Sequence, residues 1–441
     1  MSETAAPAVT ADDLAARMRL RVGLAVGSLV LILAYLAYAW IAFDVGGLLA
    51  KSRPERAVLL GTDSVMHKIH VTKDLRRGGL EIAVEGERTA TFDRPPDWVA
   101  VEDEDATIDL GDGYTVEIVG DTVSFTVPGY GVITARREGR EILQDLPEGP
   151  VPEWISGNSR KFDARPTLGR RVQMSITKIE VHRYFWGWEN FWFPFRSPLA
   201  DKSFSEIVGL AWSDERIDPE MSNAAYIFDT WWSHPDWQHG VVMVALFETI
   251  LMAVLGTLTA VLLGLPLAFL AASNFTPNMV VRFVVRRFLD FVRAIDNLIW
   301  ALIFTRAFGL GPLTGALAIG ITDTGTLGKL FSEALENIDD KQVEGVRATG
   351  ASQLQRYRYG VIPQLLPVFI SQTLYYLESN TRSATVIGAL GAGGIGLVLV
   401  QTLQTYRDWE NTLYIISLTI VVVVMMDQLS AWLRRRLIQG T

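Results

Sequence analysis

The sequence predicts an all-α polytopic membrane protein of about six transmembrane helices, with an all-β domain inserted after the first of them. Three observations carry this. Apolar runs at 22–43, 241–272, 288–310, 313–331, 365–390 and 412–429 can each cross a hydrocarbon core about 30 Å thick. Between the first two lies a long polar stretch with period-two alternation. Arginines also gather at every second junction, which fixes a sidedness.

Taken in chain order, 1–21 is a polar tail ending in Arg17, Arg19 and Arg21. The run at 22–43, "VGLAVGSLVLILAYLAYAWIAF", is too long for the apolar region of a cleaved signal peptide, so it is expected to remain as an anchor. Arg282, Arg286 and Arg287, then Arg347, Arg356 and Arg358, then Arg434, Arg435 and Arg436 all fall on one side if there are six spans. By the positive-inside rule that side is the cytoplasm, both termini face it, and 44–240 lies outside. The remaining parts are a membrane core at 241–432 and a cytoplasmic tail at 433–441.

Within the external segment, "ATIDLGDGYTVEIVGDTVSFTV" alternates Ile108 and Leu110, Val116 and Ile118, Val123 and Phe125, with turns at Gly111-Asp112-Gly113 and Gly120-Asp121. This is a β-meander. Its neighbours also read as strands, so 51–182 is expected to be a small sandwich or barrel. Residues 44–240 carry a net charge of −11 and the rest of the chain +2, which leaves no basic surface for nucleic acid. With no cysteine, the segment must be held by burial alone. The run "RYFWGWENFWFPF" at 183–195 fits either an aromatic belt at the membrane interface or ordinary aromatic core. His67 and His70 lack a third ligand at metal spacing, and no Gly-x-Ser-x-Gly elbow occurs here, so neither metal nor hydrolytic chemistry is expected.

Two glycine motifs are decoys. Gly391-x-Gly393-x-x-Gly396 has the spacing of a dinucleotide fingerprint but sits at the end of a membrane span, where glycines serve a tight re-entrant turn or close helix contact. "GTLGKL" at 325–330 imitates a phosphate-binding loop, yet Asp323 stands where its first glycine belongs and Leu330 where Ser or Thr should hold magnesium. The chain is therefore expected to be non-catalytic, with no cofactor of its own.

The loop at 332–363 contains "VEGVRATGASQLQRYRYGVIP", a polar stretch between apolar runs. Asp339 with Gln342 predicts a capped helix over 340–349, stopped by Gly350. Ser352 with Gln355 opens a second helix that should end before Pro363, and Val343, Val346 and Leu354 are the expected packing residues of the helix pair. Glu344, Ala348, Gly350, Ile362 and Pro363 resemble the "EAA" loop of ATP-binding-cassette (ABC) importer permeases: an acidic residue, Gly six positions on and Pro thirteen further. Gly345, in place of the usual Ala, and Gly360, in place of a common Ile, depart from that pattern. Together with "YYLESNTRSATVIGALGAGGIG" and "AFGLGPLTGALAI", the chain from Ala224 onward resembles the phosphonate-importer branch.

That resemblance implies an ABC type I importer permease fold in a bacterial plasma membrane, working as a homodimer. It implies a cytoplasmic ABC ATPase dimer holding ATP and magnesium, and a substrate-binding protein outside. Coupling to the ATPase would fall to Glu344, Gly345, Ala348, Thr349, Gly350, Ala351, Ile362 and Pro363. The β domain is foreign to the pattern and is expected to dock or shield rather than bind substrate. Charges within spans mark the pathway candidates. Glu378 and Arg382 at i and i+4 form either a structural clasp or a phosphonate site, beside Asn380, Ser383 and Thr385. Further candidates are Asp323 with Thr322 and Thr324, and Arg293 with Asp296 and Asn297. An importer of another small anion is the alternative. A self-sufficient secondary transporter should show internal repeats, and a receptor should carry an output domain; the sequence displays neither.

Overall fold

The computed structural model describes residues 11–52, 54–85, 90–405 and 409–439. The chain divides into two compact units, 1–61 and 62–441. The first holds α1 (Ala11–Ala42), α2 (Val45–Lys51) and most of α3 (Pro54–Asp63). Leucine, valine and tyrosine side chains of α1 are exposed on every face, as suits a helix solvated by lipid. Asp44, in the left-handed region at φ 45°, opens α2 by accepting a hydrogen bond from the Gly47 amide.

The second unit begins with the β region. Strands β1 (Met66–Asp74) and β2 (Leu80–Val84) start one sheet, and β3 (Val99–Glu102), β4 (Asp105–Gly111), β5 (Tyr114–Val119), β6 (Thr122–Val127), β7 (Gly131–Glu138) and β8 (Glu141–Asp145) form a second as a simple meander. The chain then returns to the first sheet through β9 (Ile155–Asn158), β10 (Lys161–Thr167), β11 (Arg170–Ser175) and β12 (Lys178–Trp186), in the order β2-β1-β12-β11-β10-β9. Alternate residues enter one shared core: Ile108, Val116, Phe125 and Ile133 from the meander, Val71, Phe162, Val172 and Val181 from the other sheet. The result is a sandwich of two six-stranded antiparallel sheets. His67 and His70, three apart on β1, point to opposite faces; His67 meets the Gly187 carbonyl and Glu189, and His70 lies near His182.

Two short helices, α4 (Phe204–Ala211) and α5 (Asn223–Trp232), lead into the helical region: α6 (His239–Ala271), α7 (Met279–Ala294), α8 (Asn297–Phe308), α9 (Pro312–Glu336), α10 (Asp340–Ala348), α11 (Gln353–Arg356), α12 (Ile362–Ile387), α13 (Gly394–Thr405) and α14 (Trp409–Gln439). Among the described residues, 17–42, 239–271 and 409–438 are helices long and apolar enough to cross a membrane, and 353–392 with 394–404 form an equally apolar pair bent by 58°, the shape of a broken span or a re-entrant loop. The run at 288–310, expected as one span, is two helices. Ile295 is extended, and the Asp296 carboxylate caps α8 by accepting from the Leu298 amide at 2.8 Å. Helix α9 is long, but Thr322, Asp323, Thr324 and Lys329 lower its apolarity.

Helices α6 and α9 pack along a glycine seam. A Cβ on Gly256 would lie 2.7 Å from Ile319, one on Gly264 would lie 3.2 Å from the Gly328 amide, and one on Gly320 would touch Thr259. Gly325 faces the backbone of α7 at Arg293. The glycines of the false phosphate loop are thus packing glycines within a continuous helix.

The aromatic run at 183–195 divides: Phe185 and Phe195 pack against the sandwich core, whereas its middle serves neither that core nor a free belt. Trp188 and Phe191 pack on Trp237, on His239 at the start of α6 and on Tyr414 of α14. One His239 ring nitrogen meets the Phe191 carbonyl at 2.7 Å and the other the Tyr414 hydroxyl at 2.8 Å. This knot ties the β region to the helical region; Trp186 and Trp192 remain exposed.

Candidate functional site

The polar side chains of the helical region gather along α12, at three levels. Its first end carries the elbow. Helix α10 is capped by Asp339, whose carboxylate accepts from the Lys341 amide at 3.0 Å. The reciprocal bond comes from Gln364 of α12 rather than from the expected Gln342: its Oε1 accepts from the Asp339 amide at 2.9 Å. The elbow is thereby stitched to the long helix. Gly350, at φ +81°, makes the turn after Thr349 as expected, and the Ser352–Gln355 capping box is complete in both directions.

The second helix does not end before Pro363. After α11 the chain passes through a π-turn at Tyr357–Val361 and straight into α12, with Pro363 as the second residue after the turn. Gly360 explains its own departure from the family pattern: a Cβ there would lie 3.3 Å from the Val343 Cα, so glycine lets α10 rest directly on the π-turn. Nothing in the structure explains Gly345. Val343 and Val346 pack as expected, but Leu354 is exposed, as are Glu344, Ala348, Thr349, Ile362 and Pro363. Ala351 is half-buried.

The middle level is a buried node. The Asn380 amide donates to the Asp323 carboxylate at 2.6 Å and to the Thr257 hydroxyl at 2.9 Å, joining α12, α9 and α6. Thr257 lies about 27 Å along α6, near the middle of this 33-residue helix. Thr324 turns back to bond the Gly320 carbonyl, and Thr322 the Ala318 carbonyl, so neither adds to the node. Sequence reasoning had named Asp323 and Asn380 separately; Thr257, inside an apolar run, gave no signal.

The far level is a break. After a second π-turn at Gly388–Ala392, Gly391, Gly393 and Gly394 have φ of +103°, +83° and +68°, and α13 leaves at an angle. Side chains are excluded here: a Cβ on Gly393 would meet Pro312 at 3.2 Å, and one on Gly394 the Thr249 hydroxyl at 2.5 Å. The first amides of α13 are capped from another helix. Glu248 of α6 accepts from the Gly394 amide at 3.1 Å, and the Thr249 hydroxyl from the Ile395 amide at 2.9 Å. Glu248 was missed in the sequence, although a lone carboxylate in an apolar run is itself the signal.

Glu378 and Arg382 do pair, at 2.8 Å, but the Arg382 side chain is 60% exposed and Glu378 only 17%. Ser383 and Thr385 are half-buried on the same helix, with the Thr385 hydroxyl donating to the Thr381 carbonyl. Arg293 does not join Asp296 and Asn297. It reaches Asp290 at 3.2 Å, in a cluster with Arg287 and Lys329. Among the described residues no group of three or more His, Asp or Glu side chains could hold a metal ion.

Residues 264–439 match the family model described as binding-protein-dependent transport system inner membrane component. The phosphite transport system permease protein PtxC of Stutzerimonas stutzeri is 38% identical over 190 residues, covering 43% of this chain and 69% of that protein. The chain belongs to this family of transport-system inner-membrane components. The phosphate-import permease protein PhnE of Mycolicibacterium smegmatis is 40% identical over 191 residues, and there the match spans 36% of the relative's length. The putative cryptic phosphonate transport system permease protein PhnE2 of Escherichia coli K12 is 48% identical over 122 residues, covering 28% of this chain and 99% of that protein. Among solved structures, the inward-facing MetNI methionine ABC transporter is 20% identical with a TM-score of 0.39, over 44% of this chain and 95% of that one. In this inner-membrane component, the elbow, the node and the break all lie within the matched residues; Thr257 and Glu248, their partners on α6, lie before them.

Proposed function

We propose that the chain is the permease subunit of an ABC importer for a phosphorus oxyanion. It would form the translocation pathway as a homodimer, receiving substrate from an extracytoplasmic binding protein and driven by a separate ATPase that holds ATP and magnesium. The observation that carries this reading is the exposed elbow of α10 and α11, stitched by Gln364 and Gly360 to α12, in a chain whose relatives are named as permeases. The relatives' names span phosphate, phosphite and phosphonate, which supports a tetrahedral phosphorus anion and leaves the choice among them to experiment.

Mechanically, α12 is a rod of 26 residues, about 39 Å long. The elbow is fixed to one end, the node about 27 Å along it at Asn380, and the glycine break to the other end. A displacement of Glu344, Gly345, Ala348, Thr349, Gly350, Ala351, Ile362 and Pro363 by the ATPase therefore arrives at Asn380 and at Gly391–Gly394 as motion of one body. In this reading, six crossings are made by α1, α6, α7 with α8, α9, α12 with α13, and α14, with both termini cytoplasmic and 44–240 outside.

Reconstitution of the permease with its ATPase and binding protein tests the function. We expect ATP-dependent uptake of radiolabelled methylphosphonate, phosphite or phosphate into proteoliposomes; uptake without ATP, or of none of the three, would overturn it. Cysteines placed at Ser124 and Ser352 test the topology, since the native chain has none. An impermeant thiol reagent on intact cells should label position 124 and spare 352.

A further inference from the structure

The residues between the sandwich and α6 lie outside the family match. Phe204 and Val208 on α4 and Trp212 at its C-cap follow at i, i+4 and i+8, with Phe204 83% and Trp212 87% exposed. On α5, Phe228 and Trp232 stack at 5.6 Å and are also exposed. A floppy segment could hide such groups, but this one is rigid. Asn223, buried at the start of α5, donates to the carbonyls of Leu210, Ser213 and Glu215 and accepts from the Ile217 amide. One side chain thus fastens the two helices and their connecting loop together. That loop carries Asp214, Glu215, Asp218 and Glu220 against a single Arg216, so the hairpin is amphipathic as a whole.

Its depth is fixed by contact with α6. The Trp231 ring stacks on His239 at 4.9 Å, and Gly240 has no room for a side chain because the Trp232 carbonyl and indole lie 2.7 Å from where its Cβ would be. The hairpin therefore sits on the first turn of a membrane helix. At 33 residues α6 is about 50 Å long, against about 40–45 Å for a bilayer including its headgroups, so that first turn lies in or just above the headgroup layer. Tryptophan and phenylalanine at this depth favour lipid, where an amphipathic ring meets both water and acyl chain.

We propose that the α4–α5 hairpin is an interfacial anchor, immersing Phe204, Val208, Trp212, Phe228 and Trp232 in the headgroup layer at the His239 end of α6. The anchor rests on α6 crossing the bilayer and not on which anion is carried. It gives the β region a second hold on the membrane besides the aromatic knot, through lipid rather than through protein.

Single cysteines at 204, 208, 212 and 228, with 214 as the loop control, can be labelled with an environment-sensitive nitrobenzoxadiazole dye. The full chain is then reconstituted in phosphatidylcholine and phosphatidylglycerol vesicles. We expect the four stripe positions to be blue-shifted, and quenched at least twofold more strongly than position 214 by lipid carrying a shallow spin label. Equal quenching of stripe and control by aqueous iodide would overturn the proposal. Blue-shifted labels that no lipid quencher reaches would overturn it equally, since the occupant would then be protein: a second copy or a docking partner. Four independent positions guard against one poorly folded variant.

Discussion

Removing the Glu248 carboxylate should loosen the break in α12 and α13 more than any other single change in the helical region. Glu248 and Thr249 accept from the first two amides of α13, which the helix itself cannot satisfy, at 3.1 and 2.9 Å. In a poorly hydrated setting, a hydrogen bond to a charged acceptor contributes about 1.5–3 kcal/mol, and stranding its donor costs a similar amount. Glu248→Ala should therefore destabilise the helical region by about 2–3 kcal/mol. Thr249→Val loses a neutral bond, about 1 kcal/mol, although its hydroxyl also donates to the Ala245 carbonyl. Glu248→Gln keeps an acceptor oxygen and should cost less than Glu248→Ala. The measurements are thermal unfolding in detergent and, in proteoliposomes, ATP hydrolysis with and without the binding protein. The expected pattern is lower stability and raised basal hydrolysis in Glu248→Ala, with Glu248→Gln in between. A Glu248→Ala protein of native stability and native coupling would refute the idea that this carboxylate latches the break.

Gly350→Pro, which forbids φ +81°, should leave the helical region folded but abolish transport-stimulated ATP hydrolysis; normal stimulation would remove the elbow from the coupling route. For Glu378 and Arg382, a fully buried pair would cost about 3–5 kcal/mol to break, but the exposed arginine reduces this to about 1 kcal/mol or less. Glu378→Gln with Arg382→Gln should thus be stable, and ATP-driven uptake decides whether Arg382 also meets the anion: retained uptake leaves a clasp, and collapse makes it a ligand. In the sandwich, burial opposes ionisation of Glu85, but His182, Lys68 and His70 outweigh it and hold its pKa at about 2, against 4.5 when unfolded. The stability this confers, about 3 kcal/mol, is present above pH 4.5 and lost as pH falls toward 2. Burial, with His182 nearby, lowers the pKa of His70, so stability also declines as pH falls below 6.5; an acid titration followed by circular dichroism should give a Glu85→Gln protein a flatter limb below pH 4.5.

The β-meander was legible because one solvated face imposes strict alternation, and each strand from β4 to β6 could be read from it. The return of β9–β12 to pair with β1 was not, because register between strands so distant in sequence leaves no local trace. In the helical region, Gly350 and the Ser352 capping box are local chemistry and were readable. Gln364 and Gly360 act across the elbow, and the unbroken passage through Pro363 depends on a π-turn that no spacing rule anticipates. The node followed the same division. Asp323 and Asn380 stand out as polar groups in apolar text, but that they meet, and meet Thr257, is decided by the glycine seam that lets α9 approach α6.

That seam also determines which helix is free to move. Along α6 and α9, Gly256, Gly264, Gly320 and Gly328 bring the helices close enough that sliding either one would drive backbone into Ile319 or Thr259, so the two behave as one block. Helix α7 is locked to the same block. Arg286 donates to the Ala271 carbonyl at 2.9 Å and pairs with Glu336, and Gly325 sits against the Arg293 backbone. Helix α12 is held by side chains: Leu365 and Phe369 pack with Phe331, Ala384 and Ile387 with Met252 and Ile319, the Asn380 amide spans to Asp323 and Thr257, and α13 beyond it hangs on Glu248 and Thr249. Exchanging a few hydrogen bonds costs about 1 kcal/mol each when new partners replace the old, far less than repacking a glycine seam. Of the two interfaces, we therefore expect the side-chain surface between α12 and the α6–α9 block to yield before the glycine seam does, and the elbow is attached to α12.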